Sequence, residues 1–198
     1  MKKIFLILSM IALAAIGGPL SAKHTSNEVT INNKVSSAEW IGKKVTGQHN
    51  GAISIKQGKL NLHDGQLSGG KIVIDMTSIT CTDLTREQGG DKLVGHLNSR
   101  DFFDTKNHST ATLVINGVKT IEGNKYTISG TLTIKGITNP ISFPATIDMK
   151  DGKLGAYAEM KVDRTLYEIK YGSGKFFEGL GDKMIDDEFS IKFKIAAK

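Results

Sequence analysis

A strict two-residue alternation of apolar and polar side chains restricts this chain more than any other feature. Tyr126, Ile128, Gly130, Leu132 and Ile134 share one parity, while Thr127, Ser129, Thr131, Thr133 and Lys135 fill the other. Ile141, Phe143, Ala145, Ile147 and Met149 repeat the pattern, as do Leu154, Ala156, Ala158, Met160 and Val162, and finally Phe189, Ile191, Phe193 and Ile195. A strand sends successive side chains to opposite faces, so each run reads as a strand with one apolar and one mostly polar face. The pattern stops at Asp163-Arg164.

The first half is more broken. Val35 to Lys43 reads as a strand holding Trp40. Ile53 and Ile55, then Leu60 and Leu62, flank an expected turn at Gln57-Gly58. Ile72, Ile74 and Met76 form the next inward set, and Ala111 to Ile115 one more strand. Asp64-Gly65, Asp151-Gly152 and the stretch from Gly136 to Pro140 supply turn signals. Leu93 and Leu97 are spaced i, i+4, so Asp91 to Ser99 reads as a short helix; with Phe102 and Phe103 it is suited to plug a barrel end. Consecutive hairpins with one apolar face predict an all-β fold, an antiparallel barrel or sandwich. About eight strands of this length close a barrel and leave no exposed edge.

The first residues carry an export signal. Lys2 and Lys3 precede an uncharged apolar run from Ile4 to Ile16, which is short for a bilayer span. Gly17, Gly18 and Pro19 break it, and Leu20-Ser21-Ala22 ends in a small residue suited to cleavage. Residues 1–22 are therefore expected to be a signal peptide and 23–198 the mature domain, periplasmic or alternatively secreted. An uncleaved anchor is the competing reading. No cysteine near the cleavage site is available to carry a lipid.

The whole chain has a net charge of +6. Without Lys2 and Lys3 the mature part keeps 24 basic against 20 acidic residues, a net of +4. The lysines are scattered among acids, so no nucleic-acid footprint is present, while a transient contact with an anionic membrane surface stays open. Cys81 stands alone, which excludes an intrachain disulfide and is read as a small buried hydrophobe. His49, His63, His96 and His108 lie apart, without metal-ligand spacing. There is neither a G-x-S-x-G motif nor a phosphate loop, and Asp186-Asp187-Glu188 reads as a solvated turn, so no enzyme is expected. An outer-membrane barrel would need aromatic girdles, yet aromatics make up 7% and are not grouped at strand ends.

Several runs, taken in order, resemble the YceI-like family. They are Trp40-Ile41-Gly42-Lys43 with His49-Asn50-Gly51, then Gly69-Gly70 leading to Ile74-Asp75-Met76-Thr77-Ser78-Ile79. His96-Leu97, Asp101-Phe102-Phe103-Asp104, the run Gly130 to Thr138, and Asp163-Arg164 continue the series. The chain departs from the family pattern at Ser109 and Leu113, where a proline and an aromatic are usual. The resemblance implies an extended lipocalin-like barrel, usually periplasmic. It also implies a tunnel for a polyisoprenoid, an isoprenoid quinone or a fatty amide, and no enzymatic activity.

Alternation alone leaves a filled core and a ligand cavity both open. Small residues at Gly130, Ala145, Ala156 and Ala158 argue for space, and the resemblance favours the cavity. The candidate tunnel residues are Trp40, Phe102 and Phe103 near one end, with Ile72, Ile74, Ile128, Leu132 and Ile134 along the wall. Phe143, Ile147, Ala156, Ala158, Met160, Phe189, Ile191 and Phe193 complete the wall. Tyr167 to Gly181, with Phe176 and Phe177, is the candidate mouth, the alternative being a surface loop anchored by those two rings. Asp163 and Arg164 read as a capped strand end rather than a polar site. The expected partner is a long apolar small molecule, with no cofactor beyond a bound isoprenoid or quinone. Oligomeric state, a homodimer among the options, is not fixed by the sequence.

Overall fold

Three hairpins show how local sequence sets the architecture. Asp64-Gly65, Lys135-Gly136 and Asp151-Gly152 all adopt positive φ at both positions, the two-residue turn whose twist matches that of antiparallel strands. The computed structural model describes residues 25–198, which form nine strands and one α-helix. The expected signal peptide lies outside the described residues. The strands are β1 (Ser26–Thr30), β2 (Ser37–Lys44), β3 (Gly47–His63), β4 (Gln66–Asp75), β5 (Thr110–Glu122), β6 (Lys125–Ile134), β7 (Ile137–Lys150), β8 (Lys153–Asp163) and β9 (Glu188–Ala197); helix α1 spans Gly90–Asn98.

All neighbours are antiparallel, and the order β3-β2-β9-β8-β7-β6-β5-β4 closes on itself through β3–β4 pairing. β1 and β2 stand in line beside β3, opposite Lys59–His63 and Lys44–Ala38's partners Gly47–Ile53 respectively. A bridge from Ile31 to Ala197 ties the end of this interrupted stave to β9. The result is a closed barrel of eight staves.

Alternation is kept inside the barrel. Ile128, Leu132 and Ile134 of β6 are buried while Lys125 and Ser129 are exposed. The outward face of β6 is therefore polar, unlike the apolar band that a membrane-spanning barrel turns to lipid. Among the described residues no helix is long and apolar enough to cross a membrane.

Several expectations are corrected. Gln57-Gly58 is not a turn: β3 runs through it, with a bulge between Ile55 and Gln57 that restores the inward parity for Leu60 and Leu62. Val35 lies before β2, 65% exposed. The turn after β6 is Lys135-Gly136 alone, and Pro140 lies within β7. β5 extends past Ile115 to Glu122. Cys81 is half-buried rather than buried, and its thiol donates to Asp83 Oδ1 at 3.2 Å.

Two long connections cover the same end of the barrel. One, residues 76–109, contains α1; the other, residues 164–187, links β8 to β9. Everything distinctive about the site follows from this asymmetry.

Candidate ligand cavity

The cavity lies where the two connections meet the strand ends. Its volume is about 110 Å³. Trp40, Ile53, Ile74, Leu113, Leu132 and Ile134 form one side of the wall, and Met160, Val162, Phe189, Ile191 and Phe193 the other. Met76, Ile79, Leu97, Phe102 and Phe103 close it from the first connection, and Ile185 from the second. Almost all of this surface is carbon, so the space favours an apolar occupant on the same ground that folds the core.

Trp40 is fixed rather than loosely packed. Its indole Nε1 donates to Thr80 O at 2.9 Å, and Gly51 stands opposite it in the register. A Cβ at Gly51 would fall 2.6 Å from that indole nitrogen and 1.7 Å from Thr80 O. Glycine there lets the first connection lie across the strand and hold the ring against the cavity.

Arg164 holds the second connection. Its guanidinium is buried and donates to four backbone carbonyls: Asp186 O at 2.9 Å, Ile169 O at 2.8 Å, Tyr171 O at 2.9 Å and Ile185 O at 3.0 Å. Asp187 Oδ1 lies 3.6 Å away. Burial pulls the Arg164 pKa down, and Asp187, Asp163 and Asp186 push back against that. Lys175 bridges Asp163 and Asp187 at 3.0 and 3.4 Å. Burial alone would raise the Asp163 pKa, but hydrogen bonds from Thr165 and Lys175 hold it below its ordinary value. The Asp163-Arg164 pair thus acts as the capped strand end expected from sequence, extended into a staple for the whole connection. Asp187 is consequently not in a solvated turn; it is part of that staple.

The first connection contributes an aromatic cluster. His96 meets Phe102 and Tyr171 edge-on, with centroids 4.9 and 4.5 Å apart. Phe103 meets Phe189 edge-on at 6.0 Å where the cavity approaches the surface. α1 and this aromatic pair do cover the barrel end.

Of the sequence candidates, Trp40, Ile74, Phe102, Phe103, Leu132, Ile134, Met160, Phe189, Ile191 and Phe193 line the cavity. Ile72, Ile128, Phe143, Ile147, Ala156 and Ala158 belong to the packed core instead. Phe176 and Phe177 are 47% and 50% exposed, and the anchors of their segment are Tyr167, Ile169 and Ser173. No residue of Tyr167–Gly181 lines the cavity, whereas Ile185 and Asp186 do; Phe176 and Phe177 lie exposed, Phe176 under Lys170 Nζ at 5.1 Å.

The small residues do not make the space. A Cβ on Gly130 would lie 1.9 Å from Val114 O, so glycine there permits close strand approach. Ala145 pairs with Ala158, and Ala156 with Ile147, in the filled part of the barrel. Val162, Leu113 and Ile53 had the right parity to be found from sequence; Ile185, in an irregular segment, had no such signal. Among the described residues no group of three metal-ligating side chains occurs. His49 is bonded to Asp83 at 2.9 Å.

A YceI-like domain model matches residues 20–197. The chain belongs to the YceI-like domain family. A UPF0312 protein of Photorhabdus laumondii is 40% identical over 58 residues, a match spanning 29% of this chain and 29% of that relative's length. Among solved structures, BcnA of Burkholderia cenocepacia superposes with a TM-score of 0.62 at 20% identity, covering 85% of this chain and 99% of BcnA. A polyisoprenoid binding domain from Saccharophagus degradans gives 0.63 at 14% identity, covering 86% and 97%. The Campylobacter jejuni YceI protein gives 0.52 at 19% identity, covering 96% and 97%. At these identities the structures share the fold.

Proposed function

We propose that this YceI-like chain is an exported, non-enzymatic binding module that holds a long apolar chain, such as a polyisoprenoid, isoprenoid quinone or fatty amide. The observation that carries the reading is the carbon-lined cavity under a stapled cap. The polyisoprenoid binding named for the Saccharophagus relative supports it. Each buried methylene contributes about 0.8 kcal/mol, so a chain of many methylenes needs few polar contacts. The only guanidinium at the cavity, among the described residues, is Arg164, and backbone carbonyls occupy its donors. Lys43 also borders the cavity, but beside the acids Asp186 and Glu188, so an uncharged headgroup suits the site better than a phosphate.

The export signal expected in residues 1–22 supports a periplasmic setting, with secretion as the alternative. Transfer to or from a membrane is supported by Leu166, Phe176 and Phe177, which are exposed on the cap.

The test is mass spectrometry of an organic extract of the protein, purified without detergent from its own periplasm. A stoichiometric isoprenoid, quinone or fatty amide is expected. A lipid-free protein whose Trp40 fluorescence is not quenched by added isoprenoid quinone would remove the reading. To block the site, a bulky residue belongs at Ala111, which lines the cavity, rather than at Ala158, which lies outside it.

A further inference from the structure

The barrel wall is interrupted at two ladders: β4 and β5 part beyond Gly70–Ile115, away from the cavity, and β7 and β8 part beside it. β7 and β8 pair only from Ala145–Ala158 to Lys150–Lys153. Beyond Ala145 the ladder stops, although both strands continue. β7 stays paired to β6 up to Ile137–Ile134, and β8 stays paired to β9 up to Asp163–Glu188. The seam is therefore an unzipped boundary between two intact walls, not a frayed end.

Its cause is in the sequence. Pro140 pairs with Thr131 and Pro144 with Thr127 across β6. A residue without an N–H can stand only in the wide type of antiparallel pair, whose backbone groups point away from the partner. The nitrogens of Pro140, Ser142 and Pro144 thus face β8, and two of those three carry no hydrogen. Thr138, Pro140, Ser142 and Pro144 are exposed, and so is Lys161 across the seam. Water reaches the backbone groups left unpaired.

The seam lies against the cavity. Met160 and Val162, on the β8 side, line it, and so do Leu132 and Ile134 of β6, the strand behind β7. Continuing the register would set Phe143 against Met160 and Ile141 against Val162. No ladder closes the wall there, and one hydrogen bond spans its top, from Asn139 Nδ2 to Leu166 O at 3.0 Å. The cap, in contrast, is held by the four Arg164 bonds. A space of about 110 Å³ is smaller than the engineered cavity of about 150 Å³ that takes one benzene ring, so a long chain requires the wall to yield somewhere.

We propose that the β7–β8 seam is the lateral port through which an apolar chain passes into and out of the cavity. This rests on the binding reading above. The port separates by sliding apolar side chains apart, without breaking ladder hydrogen bonds, and Pro140 and Pro144 keep it from zipping shut.

The test restores the missing donors with the double variant P140T/P144T and, separately, the single variant P144T beside the existing ladder. The probe is ubiquinone with a two-isoprene tail, followed by stopped-flow quenching of Trp40, the sole tryptophan of the chain and a cavity residue. Amide exchange over 159–163 reports whether the ladder has extended. The expected result is new protection at those amides, an association rate at least tenfold lower in the double variant, a smaller fall in P144T, and an unchanged final quench. An extended ladder with the wild-type rate overturns the port. So do amides that stay unprotected, since the prolines would then not be what holds the seam apart. Faster uptake in Phe103→Ala, with the wild-type rate in P140T/P144T, would put the route at the Phe103–Phe189 edge instead. No quenching of the wild-type protein would remove the binding reading itself, and the port with it.

Discussion

The two halves of this barrel are built from the same alternating strands, yet one is full and the other hollow. In the full half, β7 and β8 are zipped, and Ile128, Ile147, Leu154 and Ala158 meet in a packed core. In the hollow half the β7–β8 ladder is absent, and two irregular connections stand in for a packed end. A continuous ladder fixes the spacing of neighbouring strands, and side chains of ordinary volume then fill the lumen. Beside the cavity, where β7 and β8 part, the wall is set by side chains and by the cap, and space remains.

The cap is the strongest point at which to break this comparison. Arg164→Ala leaves four carbonyls without their donor and Asp187 with only Lys175 beside it. A loss of about 3–5 kcal/mol in urea unfolding is expected, as when one member of a buried pair is removed. A loss below about 1 kcal/mol would mean that the connection holds its place by other contacts.

Truncating one leucine in each half gives a smaller, sharper contrast. Leu154→Ala, at a residue 1% exposed in the full half, is expected to cost about 2–5 kcal/mol. Leu132→Ala removes a side chain that already borders space and so has fewer contacts to lose; its cost should fall lower by about 1 kcal/mol or more. Equal losses in paired urea titrations would contradict a hollow half.

The smallest effect concerns acid. The folded-state pKa of Asp163 is depressed, so its ionised form contributes stability above the ordinary carboxylate value of about 4. That contribution is lost as pH falls through the lower, folded value. The stability difference between wild type and Asp163→Asn should be flat from pH 7 to 5 and shrink below about 4. A difference that persists unchanged at pH 3 would show that the cap does not use the charge.

Strand parity and the turns at Asp64-Gly65 and Asp151-Gly152 were legible in the sequence because each depends on residues next to one another. Gln57-Gly58 misled for a related reason: a glycine serves a turn or a bulge equally well, and only the partner strand β4 decides which. Cavity residues in regular strands, such as Leu132 and Phe193, were found by parity. The same parity picked Ile128 and Ile147, which fill the other half.

By itself, then, the sequence determined that the strands form and which face of each turns inward, and it left an antiparallel barrel and a sandwich both open; the β3–β4 pairing closes the barrel. The strands and their facing follow from a two-residue period and from local backbone preference. Only the tertiary structure decided where the barrel is empty. That depends on which inward residues meet across the lumen, on a β7–β8 ladder that ends at Ala145, and on Ile185 and Phe103 arriving from distant connections. Emptiness is a relation among residues far apart in the chain, and no local pattern encodes it.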